Sequence, residues 1–127
     1  MKQEIKTDKA QSAKGLLSQA LISGDFIFTA GFIHMTPDGK MVEGTTEEKF
    51  RQVMTNIEEV LMAAGAELND IVKATIYVTD MSIMSDLNKL YVTYFKEPFP
   101  VREAVCVKEL PLGASIEISV IATKNNN

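Results

Sequence analysis

With 127 residues, 46% of them hydrophobic, the chain suits one domain with a sizeable core; halved, neither part would bury enough surface to stand alone. A net charge of -4 gives no electrostatic reason to approach phosphate backbones or anionic lipid, which puts small molecules and proteins first as partners. The lone Cys106 closes no internal disulfide, the polar stretch from Met1 to Ser12 lacks the apolar centre of a secretory signal, and no apolar run approaches the ~18 residues of a membrane helix, so a cytoplasmic protein is expected.

In chain order, ALISGDFIFTAGFI (20–33) reads as two short strands around the turn SGD, because β-branched and aromatic residues flank turn formers. TPDGK at 36–40 is a second turn. Thr45 and Glu48 then have capping-box spacing, and Phe50, Val53, Met54, Ile57, Val60, Leu61 and Ala64 recur at helical spacing until Gly65 stops the helix. DIVKATIYVTD (70–80) alternates as a strand does, with Ala74, Ile76 and Val78 on one side and Lys73, Thr75 and Tyr77 on the other. A second helix is predicted from about Ser82, with Leu87, Leu90, Tyr91, Tyr94 and Phe95 on one stripe and Asn88 at its flank; the prolines of EPFP end it. Two strands, over 102–109 and 115–123, surround the turn LPLGA and are expected to pair as an antiparallel hairpin, after which the KNNN end (124–127) is expected to be disordered.

The order ββ, α, β, α, ββ predicts a single α+β domain over 1–127, a mixed β-sheet with both helices packed on one face. On the last strand Ile116, Ile118, Val120 and Ala122 suit the helix-covered side and leave Glu117, Ser119 and Ile121 opposite. On the strand before it Val105 and Val107 are expected under the helices, leaving Arg102, Ala104 and Cys106 on the open side with Glu117. A face that apolar, with one cation and one anion, reads as a subunit interface around a polar pocket.

Arg102 and Glu117 therefore lead the candidates for chemistry. A guanidinium supplies fixed donors for a carboxylate, and a glutamate can hold a water or take its proton. A plain structural ion pair is the competing reading, and spacing alone does not separate the two.

GLLSQA (15–20), FTAGFI (28–33), VLMAAGAELNDIVKATIYVTDM (60–81), Asn88 ahead of YF, and FPVREAVCVKELPLGASIEISVIA (99–122) resemble, in order and over nearly the whole chain, the RidA/YjgF family of enamine/imine deaminases. The proline-x-arginine at 100–102 and the IEI of the last strand are the more telling motifs. The resemblance implies a chorismate-mutase-like homotrimer with pockets between subunits, where an arginine grips the carboxylate of a 2-imino or 2-enamino acid; Arg102 falls on that arginine. It also implies that Glu117 positions the water, that Asn88 stands near the pocket, and that Gly31 and Ala104 contribute backbone contacts. No metal or other cofactor is implied.

Two stretches depart from the family pattern. The common GPYSQA reads GLLSQA, so Leu17 replaces a tyrosine that overhangs the pocket; SGQIP reads AGFIH, so Ala30 loses a hydroxyl, Phe32 replaces an amide and His34 replaces a proline. Leu17 and Phe32 are thus expected to make the substrate pocket more apolar. Glu103, next to Arg102, is expected to face the other way and to be structural or solvent-facing. His34, the single histidine, is read as a loop residue rather than a metal ligand or acid/base group; Cys106 as a buried or interface thiol; and Met54, Met62 and Met84 as core and interface filler.

The leading expectation is hydrolysis of reactive 2-imino or 2-enamino acids to 2-keto acids and ammonia. Leu17, Ala30 and Phe32 favour an alternative, a trimer that binds keto acids without turnover and regulates a partner. A third reading, an endoribonuclease or translation inhibitor, is opposed by the acidic charge and the lack of a basic stripe.

Overall fold

In the computed structural model, which describes residues 1–124, helix α1 (Thr46–Ala63) begins where the capping box places it. The Glu48 amide donates to Thr45 Oγ1 and the Thr45 amide to Glu48 Oε1, both at 3.1 Å, so two of the helix's orphan donors are satisfied reciprocally. At the other end Gly65 adopts φ 81°, and the Ala66 and Gly65 amides turn back to Leu61 O (2.8 Å) and Met62 O (3.0 Å), a Schellman closure that ends the helix.

Seven strands form one sheet: β1 (Lys2–Ile5), β2 (Ala20–Ser23), β3 (Phe26–Thr29), β4 (Phe32–Ile33), β5 (Ile71–Val78), β6 (Val101–Cys106) and β7 (Ile116–Thr123). The order is β1-β2-β3-β7-β5-β6, with β4 continuing the line of β3 along β7. Helix α2 (Met84–Tyr91), entered through a 3-10 turn at Met81–Ile83 and left through another at Val92–Tyr94, joins α1 on one face. The expected stripe is in place: Leu87, Tyr91 and Phe95 are buried, with Leu90 and Tyr94 packed beside them.

Alternation holds on β7 as predicted. Ile116, Ile118, Val120 and Ala122 are buried under the helices together with Ala74, Ile76 and Val78 of β5. Of the tail expected to be disordered, Lys124 donates its amide to Asp25 O at 2.7 Å, and 125–127 lie outside the described residues. Among the described residues no helix is long and apolar enough to cross a membrane.

The expected β6–β7 hairpin does not form. Strand β5 lies between the two, parallel to β6 and antiparallel to β7. The helix between β5 and β6 explains the difference: it reverses the chain once, so the strand after it returns parallel to the strand before it and docks on its free edge. LPLGA does turn, through Pro111–Gly113, but its loop passes over the end of β5, where the Val107 amide reaches Val78 O (2.8 Å) and the Thr79 amide reaches Ser115 O (3.2 Å).

That pairing also reverses the faces expected for β6. Arg102, Ala104 and Cys106 sit opposite Ala74, Ile76 and Val78, on the helix side, whereas Val101, Glu103 and Val105 share the open side with Lys73, Thr75 and Tyr77. As an edge strand beyond the helices, β6 is exposed along its whole length. The open side carries Phe26, Phe28, Val101 and Val105, each 42–66% exposed, around a Lys73–Glu103 ion pair of 2.9 Å.

Candidate functional site

Arg102 and Glu117 were expected side by side on one face; the register puts them on opposite faces, each with its own companions. Arg102 projects from β6 toward α2. Its Nη1 donates to Asn88 Oδ1 at 2.8 Å, and its guanidinium carbon lies 4.8 Å from the centre of the Tyr91 ring. Asn88 thus orients the fork while the ring supports one plane of it, on a strand exposed along its length. Burial holds the Tyr91 hydroxyl above the usual phenol range, an effect the Arg102 charge opposes, and that hydroxyl has no hydrogen-bond partner among the described residues.

Glu117 projects from β7 to the open side, opposite Tyr77. A register shift sets its surroundings. Phe28 pairs with Ile121 but Phe32 with Ile118, so residues 29–31 hold one residue more than β7 offers and the strand bulges there. Thr29 fills the broken rung, its Oγ1 accepting from the Val120 amide at 2.9 Å, and Gly31 comes directly against the Glu117 carboxylate. Burial raises the Glu117 pKa above the ordinary carboxylate value, which makes it a stronger proton acceptor than a solvated glutamate.

No side chain larger than hydrogen fits at position 31 while the Glu117 carboxylate stays where it is. A Cβ there would stand 2.8 Å from Glu117 Cδ and nearer still to Oε2. Gly31→Ala is therefore expected to displace the carboxylate and weaken function about 10-fold or more while far-ultraviolet circular dichroism stays native, since the cost falls on a half-exposed side chain and not on the core. Turnover or ligand titration of the variant checks this.

Ala104 lies next to Arg102 on the same side of β6 and is exposed. Leu17 is 51% exposed and lines a cleft of about 320 Å³ with Lys6, Ser12, Lys14 and Gln19, apart from both Arg102 and Glu117. Phe32 is a correction: its ring is 2% exposed in the core under α1, so it packs the sheet and presents nothing to a ligand. Cys106 is exposed on the β6 edge rather than buried, and Met62 is exposed, whereas Met54 and Met84 fill the core as expected. Glu103, read from the sequence as structural or solvent-facing, pairs with Lys73 across the open face.

His34 is not a loop residue with a free ring. It is fully buried, Ser115 N–H donates to its Nε2 at 3.0 Å, and Nδ1–H donates to Val42 O at 2.8 Å. Sequence reasoning also passed over Asn56 and Gln19. Asn56, buried on α1, donates to Ile33 O (3.2 Å) and Met35 O (2.9 Å), and Gln19 pins the N-terminal loop through the carbonyls of Thr7 and Gln11. For Asn56 the signal was present: an amide on an apolar helical stripe needs a buried partner. Among the described residues no three His, Cys, Asp or Glu side chains gather as a metal site.

No single surface of the chain holds both Arg102 and Glu117. The candidate residues fall into two clusters, Arg102–Asn88–Tyr91 at one edge and Glu117–Gly31 on the open side. Known proteins share this frame. A RutC family protein of Pyrococcus horikoshii is 43% identical over 98% of this chain and 99% of its own. The 2-iminobutanoate/2-iminopropanoate deaminase of Bos taurus is 40% identical over 94% of this chain and 88% of its own. The crystal structure of yeast Mmf1 superposes with a TM-score of 0.95 at 33% identity, covering 98% of this chain and 100% of that one. The family model described as Endoribonuclease L-PSP matches residues 7–124, and with these relatives beside it the chain belongs to the RidA/YjgF family.

Proposed function

We propose that the protein hydrolyses 2-imino acids, and the 2-enamino acids in equilibrium with them, to 2-keto acids and ammonia, in pockets between the subunits of a homotrimer. The observation that carries this reading is the division of the site: Arg102 with Asn88 on one face and Glu117 with Gly31 on the other are complementary halves that a neighbouring copy would complete. The apolar open side supports the assembly, since Phe26, Phe28, Val101 and Val105 form an uncovered patch around a paired charge.

The chemistry follows from the two halves. Arg102 takes the planar substrate carboxylate in a forked pair of charge-assisted hydrogen bonds, with its own orientation fixed by Asn88 and Tyr91. The C=N carbon then lies beside the Glu117 carboxylate of the adjoining subunit. A water held by Glu117 adds its oxygen to the carbon of the protonated imine as Glu117 accepts its proton; Glu117 returns that proton to the nitrogen of the neutral carbinolamine, and the C–N bond breaks as the hydroxyl gives its own proton to Glu117, so that ammonia leaves with the keto acid. A carboxylate whose pKa burial raises is suited to both transfers. The activity in the name of the cattle relative is of this kind.

The test is release of pyruvate and ammonia from enzymatically generated 2-aminoacrylate, with wild-type protein, Arg102→Ala and no protein. Acceleration by wild type alone supports the reading. Equal rates in all three, with tight keto-acid binding by calorimetry, would select the binding protein that half-exposed Leu17 favours, because its side chain brings no hydroxyl to the pocket. The RNA-cleaving activity in the family model's description finds little support in a chain of net charge -4.

A further inference from the structure

His34 stands outside the half-sites yet is wired to one of them. It follows β4, whose Ile33 is paired with Glu117, and lies three residues beyond Gly31, which abuts the Glu117 carboxylate. Its Nε2 takes the Ser115 amide, two residues before Glu117. The ring thus ties the strand on one side of Glu117 to the start of the strand that carries it. From α1, Asn56 clamps the carbonyls of Ile33 and Met35 on either side of the histidine, so the segment has little freedom to adjust.

The tautomer is determined by the partners. A backbone N–H can only donate, so Nε2 is unprotonated and the ring proton sits on Nδ1, directed at Val42 O. Adding a second proton sets two donors, Ser115 N–H and Nε2–H, against each other, and that bond cannot persist. We propose that His34 is a positioning residue for Glu117: its neutral ring holds Ser115 and so fixes the Glu117 carboxylate against Gly31, and its protonation releases that hold. The inference rests on the deaminase reading for its catalytic consequence, though not for the mechanical link itself.

The surroundings favour the neutral ring. Burial is the main cause that lowers the His34 pKa; Lys49 of α1, whose Nζ also donates to Ser115 Oγ at 3.2 Å, adds to it, while the Val42 bond and Glu43 before α1 oppose it. Lys49 and Glu43 are the charged groups that face the ring; β7 presents neutral Ser115 there, with Glu117 turned to the other side. Because the folded value lies below that of the unfolded chain, the unfolded chain takes the proton first. The stability that the bonded ring contributes is complete above the ordinary histidine value and is lost as pH falls through the lowered one.

The experiment uses the full-length, isotope-labelled protein, in which the single histidine gives unambiguous ring signals in nuclear magnetic resonance. On acidification of wild type, the Ser115, Gly31 and Glu117 amides are expected to shift with the midpoint of the imidazole. Two variants divide the ring's roles. In His34→Gln the side-chain oxygen can accept from Ser115 at every pH; in His34→Asn the amide can donate to Val42 but nothing reaches Ser115. His34→Gln is expected to keep kcat within about twofold and to lose the imidazole-linked step of the acid limb, leaving the step due to Glu117. His34→Asn is expected to lose about tenfold in kcat at neutral pH with KM little changed, since the Arg102 half is untouched. Amides indifferent to the imidazole midpoint, or a His34→Asn variant with wild-type kcat, would overturn the proposal. If wild type neither hydrolyses imines nor binds keto acids while the three amides follow the ring, the deaminase reading falls and the placement of Glu117 by His34 stands.

Discussion

Arg102→Ala and Glu117→Gln chains, each inactive alone, are expected to regain about a quarter of wild-type turnover when unfolded, mixed equally and refolded together. Each substitution alone removes a half-site, at a cost of about 100-fold or more in turnover. The two damaged groups lie on opposite faces of the sheet, so each chain retains the half the other lacks. In a randomly assembled ring, a seam is whole when an intact Arg102 edge meets an intact Glu117 face, which happens at about one seam in four. Steady-state imine hydrolysis measures it directly. No recovery, with mixed trimers verified by native mass spectrometry, would mean that both groups act within one chain, against the geometry.

The second large effect is on stability. Phe50→Ala is expected to cost about 3–5 kcal/mol, the range for removing a buried aromatic ring where the cavity cannot collapse. Phe50 is fully buried on α1, and its ring meets Tyr94 edge-on at 5.5 Å between centroids. Tyr94 also accepts from Arg51 Nη1 at 3.3 Å, so the contact couples α1 to the chain just beyond α2, the helix that carries Asn88 and Tyr91. Denaturant melts at fixed protein concentration, which keeps the assembly equilibrium constant between variants, should show the loss. A change below about 1 kcal/mol would mean that the core closes over the gap.

Elements whose signal lies within their own sequence were legible. Thr45, Glu48 and Gly65 mark both ends of α1, and the strict alternation of β5 and β7 declares which residues they bury. Strand β6 was not legible in the same way. Its period of two correctly separates Arg102 and Ala104 from Glu103 and Val105, but which set faces the helices depends on the neighbouring strand. Val105 resembles core when read alone. On an edge strand it belongs to a patch of the open side, and only the crossover through α2 decides this.

Residues of the candidate site were legible by motif and illegible by arrangement. Arg102, Asn88, Glu117 and Gly31 could be named, but the N–H of Arg102 on Asn88 and the seat of Glu117 at Gly31 require strands far apart in the chain. Phe32 misled because a substituted position in a pocket motif need not face the pocket; at β4 it faces Ile118 and the core. His34 misled because an isolated histidine between a strand and a turn gives no hint of Ser115, 81 residues away.

The extra residue at 29–31 has a bearing on chain length. Without it the rungs on either side, Phe28 with Ile121 and Phe32 with Ile118, would fall into one continuous register, and every core side chain of the strand would keep its face. Loss of a single codon here would thus leave an intact and more regular sheet, while removing the kink that seats the Glu117 carboxylate. The fold is indifferent to that residue; the site is not. Among descendants of such a chain, a shortened segment is expected to keep the scaffold and lose the seat of Glu117, just as a side chain at position 31 would.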